Sequence, residues 1–270
     1  MANLQAIFTT YEEHLGRTAE LGIAASLFDS SGGQKAECRY RADRPFPMAS
    51  VVKVPVAMAL VVAVTNGSVS FEDRIRITSS IATVGPITNP LDRIYFCPFD
   101  VAKHQRLGDL LRFMLRHSDN TATDAVLCRV GGVPAIREFL ARSGIEKICV
   151  TRTIRQLLTY YYDLPVALEN EEQHPTVLGR MCNILATIRR LRPAYSCRMQ
   201  KEEHLANSGE DSSTPSAMIH LLMQLATGPQ YEPVLVEMRQ CATGRERIAK
   251  GIRSHAALVK GFAQIGRAHV

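Results

Sequence analysis

The run from Ala49 to Val64 is apolar at almost every position, and polar side chains interrupt it only at Ser50, Lys53 and its end. Pro55 fits a helix only in the first turn, so a helix here should begin close to Ser50. Gly67 is a suitable residue to close it. A helix that is apolar on all sides must be buried on all sides. This run is too short to span a bilayer, so a protein core has to surround it.

The chain is large enough to supply such a core. It has 270 residues, of which 46% are hydrophobic and 21% charged, a balance typical of globular proteins and far from that of disordered chains. The net charge of +6 is modest. The short basic run from Arg189 to Arg192 has no interleaved aromatic residues that could stack on bases. We therefore expect no nucleic-acid partner.

Cysteine and histidine spacing predicts neither a metal site nor a disulfide framework. None of the seven cysteines forms a C-x-x-C pair, and their spacing is irregular, so buried free thiols are expected. The histidines have no H-x-x-x-H spacing, which two metal ligands on one helix face would require. No glycine-rich loop that could cradle a phosphate occurs. We expect no metal and no cofactor.

The N-terminal residues bear on the cellular location of the protein, and the C-terminal residues bear on where the reading frame ends. Residues Met1 to Phe8 have no basic segment and no long apolar segment of the kind found in signal peptides. The protein is expected to be cytoplasmic as written, and periplasmic or secreted if the N-terminus is incomplete. Residues Ile265 to Val270 can be encoded by a string that matches a common sequencing-library adapter. We expect these residues to be an artefact of a C-terminally truncated reading frame; the alternative is a genuine C-terminus.

Other patterns indicate a mixture of helices and strands. Helical spacing of apolar residues, strand-like runs beside turn residues, and N-cap signals locate the elements. They comprise a helix from about Leu4 to Glu20, strands at Ile23 to Asp29 and Lys35 to Tyr40, helical segments between Leu107 and Val130 that are interrupted at His117 to Asn120, and a helix that Thr214 caps and Pro215 begins.

Ser50 and Lys53 lie three residues apart at the start of the apolar helix. Residues at this spacing share a helix face, so Lys53 can reach Ser50 Oγ. A serine hydroxyl is a weak nucleophile unless a base takes its proton. Apolar surroundings lower the pKa of a lysine and so fit it for that role, and the helix N-terminus favours a developing oxyanion. The alternative is a capped helix with a snorkelling lysine, which chance can supply.

The tripeptide Ser118-Asp119-Asn120 occupies the polar interruption between two helical segments. A second serine near Lys53 can pass a proton to a leaving nitrogen. The amide of Asn120 offers both a donor and an acceptor to a substrate amide group. The alternative is that Ser118 caps the next helix beside an Asx turn, a role that it could combine with the first.

These two elements together resemble the nucleophile and second motifs of the class A β-lactamases and penicillin-binding proteins, the S-x-x-K acyl transferases. The flanks are similar as well, from Arg44 to Ala57 around the first motif and from Leu110 to Asp124 around the second. Ser213 to Met218 resembles the start of a late helix of that fold. The resemblance spans about Leu4 to Lys260.

The resemblance implies an α/β (α+β) fold, formed by a single β-lactamase-like catalytic domain. An antiparallel sheet flanked by helices, from about 1–44 and 215–264, would pack on an all-α lobe of about 45–214. Acylation of Ser50 by a β-lactam would be the reaction. Lys53 and Ser118 would be the other catalytic residues.

The resemblance further implies that Asn120 and Lys260 bind the substrate. The family's third motif is Lys-Thr-Gly or Lys-Ser-Gly, and its nearest counterpart here, Lys260-Gly-Phe, lacks the hydroxyl residue. Lys260 could bind a substrate carboxylate or be a surface lysine. The family's deacylating Glu-x-x-Leu-Asn loop is replaced by Thr151 to Leu158. Glu169 or Glu171 could serve as general base; the alternative is that both belong to a solvated acidic turn.

Three functions remain open at this point. The first is a class A β-lactamase that hydrolyses the β-lactam ring. The second is a DD-peptidase or esterase-like hydrolase of the same fold, in which release of the acyl group is slow. The third is a non-catalytic penicillin-binding or sensor module. In each, the expected partner is a small β-lactam or peptide-like molecule, and we expect a monomer with no membrane span.

Overall fold

The computed structural model describes residues 2–15, 20–29, 33–78, 81–82, 104–161 and 195–243. Helices and short antiparallel strands alternate along these ranges, as the mixed patterns predict. The helices are α1 (Ala2–Leu15), α2 (Lys53–Thr65), α3 (Leu107–His117), α4 (Asn120–Arg129), α5 (Gly132–Arg142), α6 (Ile154–Tyr161), α7 (Tyr195–Ser208), α8 (Pro215–Thr227) and α9 (Glu232–Thr243). The strands are β1 (Ile23–Phe28), β2 (Gln34–Tyr40), β3 (Phe46–Pro47), β4 (Arg74–Arg76), β5 (His104–Arg106), β6 (Ile148–Cys149) and β7 (Ser212–Ser213).

Helix α2 is the centre of the core. Every residue from Lys53 to Val61 is buried, and the helix packs against α3, α4, α5 and α9. Each fully buried side chain, such as Met58 or Leu60, contributes roughly 2 kcal/mol of hydrophobic stabilisation. A 3₁₀ turn at Ala49–Val52 leads directly into α2. The buried helix that the apolar run predicts is therefore confirmed, with Ser50 just before its first turn.

The predicted strand, turn and strand near the N-terminus form the antiparallel pair β1–β2. Ile23 lies opposite Tyr40, and the register shifts between Leu27 and Phe28. Helix α8 packs against β1. Helix α1 is tied to the pair by Glu12, whose carboxylate accepts a hydrogen bond from the Tyr40 hydroxyl at 2.8 Å. The helix predicted from Leu4 to Glu20 thus spans Ala2–Leu15 in the described part of the chain.

A second small sheet holds the segment before Ser50. Strand β7 lies between β3 and β6, with Ser213 opposite both Phe46 and Ile148. The backbone N–H of Met48 donates to the carbonyl of Asp211 at 2.9 Å. These pairings place three distant parts of the chain side by side at the start of the 3₁₀ turn.

The polar interruption between α3 and α4 is a sharp turn at Ser118. Ser118 has a left-handed backbone conformation with φ of 54°, which costs a non-glycine residue free energy. Asp119 has the extended conformation of an N-cap, and its carboxylate accepts from the N–H of Ala122 at 2.8 Å. The interpretation of Ser118 as the N-cap is therefore wrong, because its left-handed backbone is incompatible with that position. Its hydroxyl is left available for the site.

The late helix α8 begins as predicted. The hydroxyl of Thr214 accepts a hydrogen bond from the N–H of Ala217 at 3.1 Å, and Pro215 is the first helical residue. Leu221 and Leu225 are fully buried on its inner face. This agreement is local in origin, since a cap and an N-terminal proline define a helix start without tertiary contacts.

The segment assigned to the all-α lobe, about 45–214, is mainly helical in its described residues. It also contains the strand pair β4–β5 and the three-stranded sheet β3–β7–β6. The boundary between two lobes stays a prediction. Among the helices of the described ranges, none combines the length and hydropathy needed to cross a membrane.

The cysteines whose side chains the structure describes are free but less buried than expected. Cys128 is exposed, whereas Cys38 and Cys149 are half-buried. The prediction of buried thiols is wrong for these three, because β2 and β6 are edge strands and Cys128 lies near the end of α4. The side chains of Cys97, Cys182, Cys197 and Cys241 lie outside the described part.

Candidate active site

The two predicted motifs meet around the ammonium group of Lys53. Lys53 Nζ lies 3.2 Å from Ser50 Oγ and 3.0 Å from Ser118 Oγ. The Ser118 hydroxyl in turn lies 3.1 Å from Ser50 Oγ, so the three atoms form a closed triangle of hydrogen-bond contacts. Lys53 Nζ also donates to Asn120 Oδ1 at 2.8 Å. Four of the five residues predicted for the site are therefore brought together.

Burial lowers the pKa of Lys53. Its side chain is 3% exposed, and the loss of hydration lowers the pKa of Lys53 to about 8. The carboxylates of Asp119 and Asp124 act against this shift and keep the pKa from falling further. At pH 7, roughly one-tenth of Lys53 is then neutral, compared with less than about one part in a thousand for an ordinary lysine.

The contacts of Lys53 Nζ suit the neutral amine as well as the cation. An ammonium group has three donors and no acceptor, whereas a neutral amine has two donors and a lone pair. Asn120 Oδ1 and the carbonyl of Ser118, at 3.0 Å, can take two donated hydrogen bonds. The lone pair can then accept a hydroxyl proton from Ser50 or Ser118.

The backbone conformation places Ser50 in the 3₁₀ turn directly before the first residue of α2. Ala49, directly before it, has a positive φ of 45°, and Val51 N–H donates back to the carbonyl of Met48 at 2.9 Å. The 3₁₀ turn and α2 follow without interruption. Free N–H groups at a helix N-terminus produce a positive potential, which favours negative charge developing on a nearby carbonyl oxygen.

Asp119 holds the second motif in place without entering the triangle. It is completely buried, and it caps α4 through Ala122. Its carbonyl accepts from the hydroxyl of Thr123 at 2.6 Å. Ser118 and Asn120 lie on either side of this anchored residue, so both side chains have a fixed backbone from which to reach Lys53.

Two carboxylates near the site were not singled out by the sequence analysis. Asp124 accepts hydrogen bonds from the backbone N–H groups of Ile154 and Arg155, each at 2.7 Å. Its place one helical turn after Asn120 was the signal that could have identified it. Asp211 accepts from the N–H of Thr151 at 2.8 Å and pairs with the Arg152 guanidinium at 2.9 Å. No local pattern pointed to Asp211.

The remaining predicted residues are not placed. Lys260, Glu169 and Glu171 lie outside the described residues, as do the basic run at Arg189 to Arg192 and the final residues 265–270. Over the described ranges, no carboxylate forms a hydrogen bond with Ser50 Oγ, whose recorded partners are Lys53 and Ser118. The same ranges hold no cluster of potential metal ligands.

Comparison with known proteins finds β-lactamases among the relatives of this chain. The β-lactamase VEB-1 of Pseudomonas aeruginosa is 27% identical over 144 residues, which are 52% of this chain and 44% of that protein. The match thus spans less than half the length of this curated relative. An ancestral (GNCA) class A β-lactamase has a similar fold, with a TM-score of 0.60 and 21% identity over 93% of this chain and 76% of that one.

A second solved structure shares the fold. It is a variant of PBP-A, an acyl-enzyme complex with penicillin G, with a TM-score of 0.58 and 16% identity over 89% of this chain and 69% of that one. The predicted mixture of helices and an antiparallel sheet is thereby confirmed as a β-lactamase-like fold. The sequence profile of the β-lactamase enzyme family matches residues 4–266. The chain belongs to the β-lactamase enzyme family.

Proposed function

We propose that the protein is a serine hydrolase in which a β-lactam acylates Ser50, with hydrolysis of the β-lactam ring as its activity. The observation that carries this proposal is the closed triangle of Ser50 Oγ, Lys53 Nζ and Ser118 Oγ. A candidate nucleophile, a lysine of lowered pKa and a second hydroxyl within hydrogen-bond reach support acyl transfer as the reaction.

The proton path for acylation follows from these contacts. Neutral Lys53 takes the hydroxyl proton of Ser50 as Oγ bonds to the carbonyl carbon of the lactam. The carbon–nitrogen bond then breaks, and Ser118 Oγ donates its proton to the leaving nitrogen. Lys53 returns a proton to Ser118 across 3.0 Å. The products are an ester at Ser50, an opened ring and a neutral lysine, so atoms and charges balance.

Asn120 has the role of orienting the substrate. Its Oδ1 atom faces Lys53 Nζ, which leaves the N–H groups of its amide to donate to a carbonyl of the substrate side chain. Lys260 remains the candidate for binding the substrate carboxylate. These two residues would select a substrate with a carboxylate at one end and an amide at the other. Both a penicillin and an acylated peptide have these two groups.

Acylation can be tested by incubating the protein with penicillin and measuring its intact mass. We expect a mass increase of one penicillin molecule, and we expect Ser50→Ala to abolish it. Ser68→Ala is the matched control, because Ser68 is exposed just after α2 and should leave the label unchanged. A label that persists in Ser50→Ala would contradict the assigned nucleophile. An unlabelled wild-type protein that also leaves the penicillin intact would favour a non-catalytic module, whereas an unlabelled protein that consumes the penicillin would indicate fast release of the acyl group.

Slow release of the acyl group is the second candidate, in which the protein is a DD-peptidase or esterase-like hydrolase. It is favoured by the stretch from Thr151 to Leu158, which stands where the family's deacylating Glu-x-x-Leu-Asn loop is expected, because deacylation needs a base to activate water. The fold shared with penicillin-bound PBP-A also supports it. A chromogenic cephalosporin separates the candidates. A burst of one product per enzyme followed by slow turnover supports slow release, whereas linear rapid turnover supports a β-lactamase.

A further inference from the structure

Asp124 is a buried carboxylate that the proton path does not use. It is 4% exposed and lies on α4, four residues after Asn120, so both residues share one face of the helix. Asn120 contacts Lys53 Nζ directly. Asp124 therefore lies one helical turn from the residue that contacts Lys53, inside the same buried cluster, and its charge opposes the lowering of the pKa of Lys53 by burial. A carboxylate is rarely buried without a role in structure or electrostatics.

The carboxylate of Asp124 completes the N-terminus of another helix. Its two oxygens accept the N–H groups of Ile154 and Arg155 at 2.7 Å each, one per oxygen. Thr153 and Gln156 form a capping box, in which each side chain bonds the other's backbone N–H. All of the N–H groups in the first turn of α6 thus have acceptors, and two of them depend on Asp124.

The charged groups that face Asp124 come from two neighbouring helices. Lys53 on α2 and Arg155 on α6 are the cations whose charges act on its carboxylate. Helices α3 and α5 also pack against α4, and they contribute buried apolar side chains such as Met114 and Ile136. Burial raises the pKa of Asp124 to about 7, although the two N–H groups and both cations oppose the shift. Asp119, the N-cap residue of α4, is the other anion that acts on Lys53, and its effect is the larger of the two.

We propose that Asp124 is a positioning residue of the Ser50 site, where its carboxylate fixes the first turn of α6 against α4 and its negative charge favours the protonated form of Lys53. The proposal rests on the proposed function of Ser50 as the nucleophile. The same carboxylate bonds the backbone of Ile154 and Arg155 and lies one helical turn from Asn120, which contacts Lys53. Loss of the charge therefore changes the base itself as well as the packing of α6.

The direction of the effect follows from the sign of the charges. An anion stabilises the protonated form of Lys53, so its removal lowers the pKa of Lys53 further. The neutral base is then present at lower pH. In Asp124→Asn we expect the acid limb of the pH profile for acylation to move down by about one pH unit. A merely structural role would reduce the rate at every pH without moving the limb.

The experiment measures the rate of penicillin acylation of the full chain from about pH 5 to pH 10. Asp124→Asn should shift the limb, and Asp124→Glu should move it back, because the charge is restored. Asp109→Asn is the matched control, since Asp109 lies on the outer side of α3 in an exposed pair with Arg112. It should leave the profile unchanged. An acid limb at the same pH in Asp124→Asn and in wild type would overturn the proposal.

A second measurement does not depend on acylation. With ¹³C-labelled lysine, the Cε signal of Lys53 reports its own protonation by NMR, and its midpoint should fall in Asp124→Asn. If Asp124→Asn does not fold, the pH titration of the Lys53 Cε signal in the wild-type protein provides the test. The titration curve should show a second inflection at the pH where Asp124 titrates. A curve with a single inflection would overturn the proposal. Failure of the proposed function has a different signature, namely no acylation of a protein whose Lys53 signal still responds to Asp124.

Discussion

At the scale of single residues, burial and nearby charges have opposite effects on the pKa of Lys53. Lys53 loses its hydration inside the core, and this alone favours the neutral amine. Two buried aspartates restore part of the preference for the ammonium form. Asp119 and Asp124 can be tolerated there because backbone N–H groups bond both carboxylates. The result is a lysine whose pKa lies close to neutral pH.

This balance makes a prediction for the pH dependence of acylation. Because the pKa of Lys53 is lowered to about 8, the fraction of neutral base rises as the pH increases through that value. We expect the acylation rate of the wild-type protein to rise with pH to a plateau, with a midpoint near pH 8. Stopped-flow mixing with a chromogenic cephalosporin measures it.

Substitution of Lys53, the proposed base, provides the control. Lys53→Arg keeps the positive charge but cannot lose a proton near neutral pH. Acylation should fall by at least about a hundredfold at every pH, as expected when a general base is removed. A pH-independent rate in wild type, or full activity in Lys53→Arg, would show that another group takes the Ser50 proton.

At the scale of elements, capping interactions fix where several helices around the site begin. Each of the helices α4, α6 and α8 begins at a residue whose side chain accepts a backbone N–H. Short sequence patterns could predict the cap of α8 at Thr214. They could not choose between Ser118 and Asp119 as the cap of α4, because both side chains suit that position and only the backbone conformation differs.

Asp211 is the clearest case of an element held by contacts from far along the chain. Its carboxylate binds the N–H groups of Thr151 and Arg152 and the Arg152 guanidinium, while its carbonyl binds Met48. Asp211→Asn keeps the shape and tolerates the positive φ of 46°. It loses the ionic pair, so we expect the free energy of unfolding in urea to fall by about 2 kcal/mol.

An exposed pair provides the comparison for Asp211. Glu138 and Arg142 form an i,i+4 ion pair on α5 with mostly exposed side chains. Glu138→Gln should change the free energy of unfolding by less than about 0.5 kcal/mol, because water and salt screen such pairs. Equal effects of the two substitutions would mean that the Asp211 contacts do not stabilise the fold.

At the scale of the whole molecule, the core is arranged around a helix that has no polar face. Leu60 on α2 is completely buried, whereas Leu27 on β1 is 57% exposed. Leu60→Ala should lower the free energy of unfolding by roughly 3 kcal/mol, because it leaves a cavity that the surrounding helices cannot fill. Chemical denaturation measures it.

The same substitution at the exposed leucine is the control for the core. Leu27→Ala removes the same atoms from a surface position of a strand, so the cost should stay below about 1 kcal/mol. If Leu27→Ala were as destabilising as Leu60→Ala, the arrangement of the core around α2 would be wrong. Circular dichroism on both variants should show that the secondary structure is retained.

The sequence by itself determined the features that depend on neighbouring residues. The apolar run required a buried helix, Pro55 and Gly67 limited its ends, and the three-residue spacing put Ser50 beside Lys53. The polar interruption at Ser118 to Asn120 was equally visible, because α3 and α4 have their own helical patterns. These signals arise from backbone geometry and solvation, which act within a few residues.

Only the tertiary structure decided which distant groups meet. Ser118 and Asn120 are 65 and 67 residues from Lys53 along the chain, and no local pattern encodes their separation in space. The anchoring of α6 by Asp124 and of Thr151 by Asp211 is likewise a result of packing. The lowered pKa of Lys53 belongs to this class too. It results from the loss of water around the amine and the approach of two carboxylates, and both exist only once the helices have packed together.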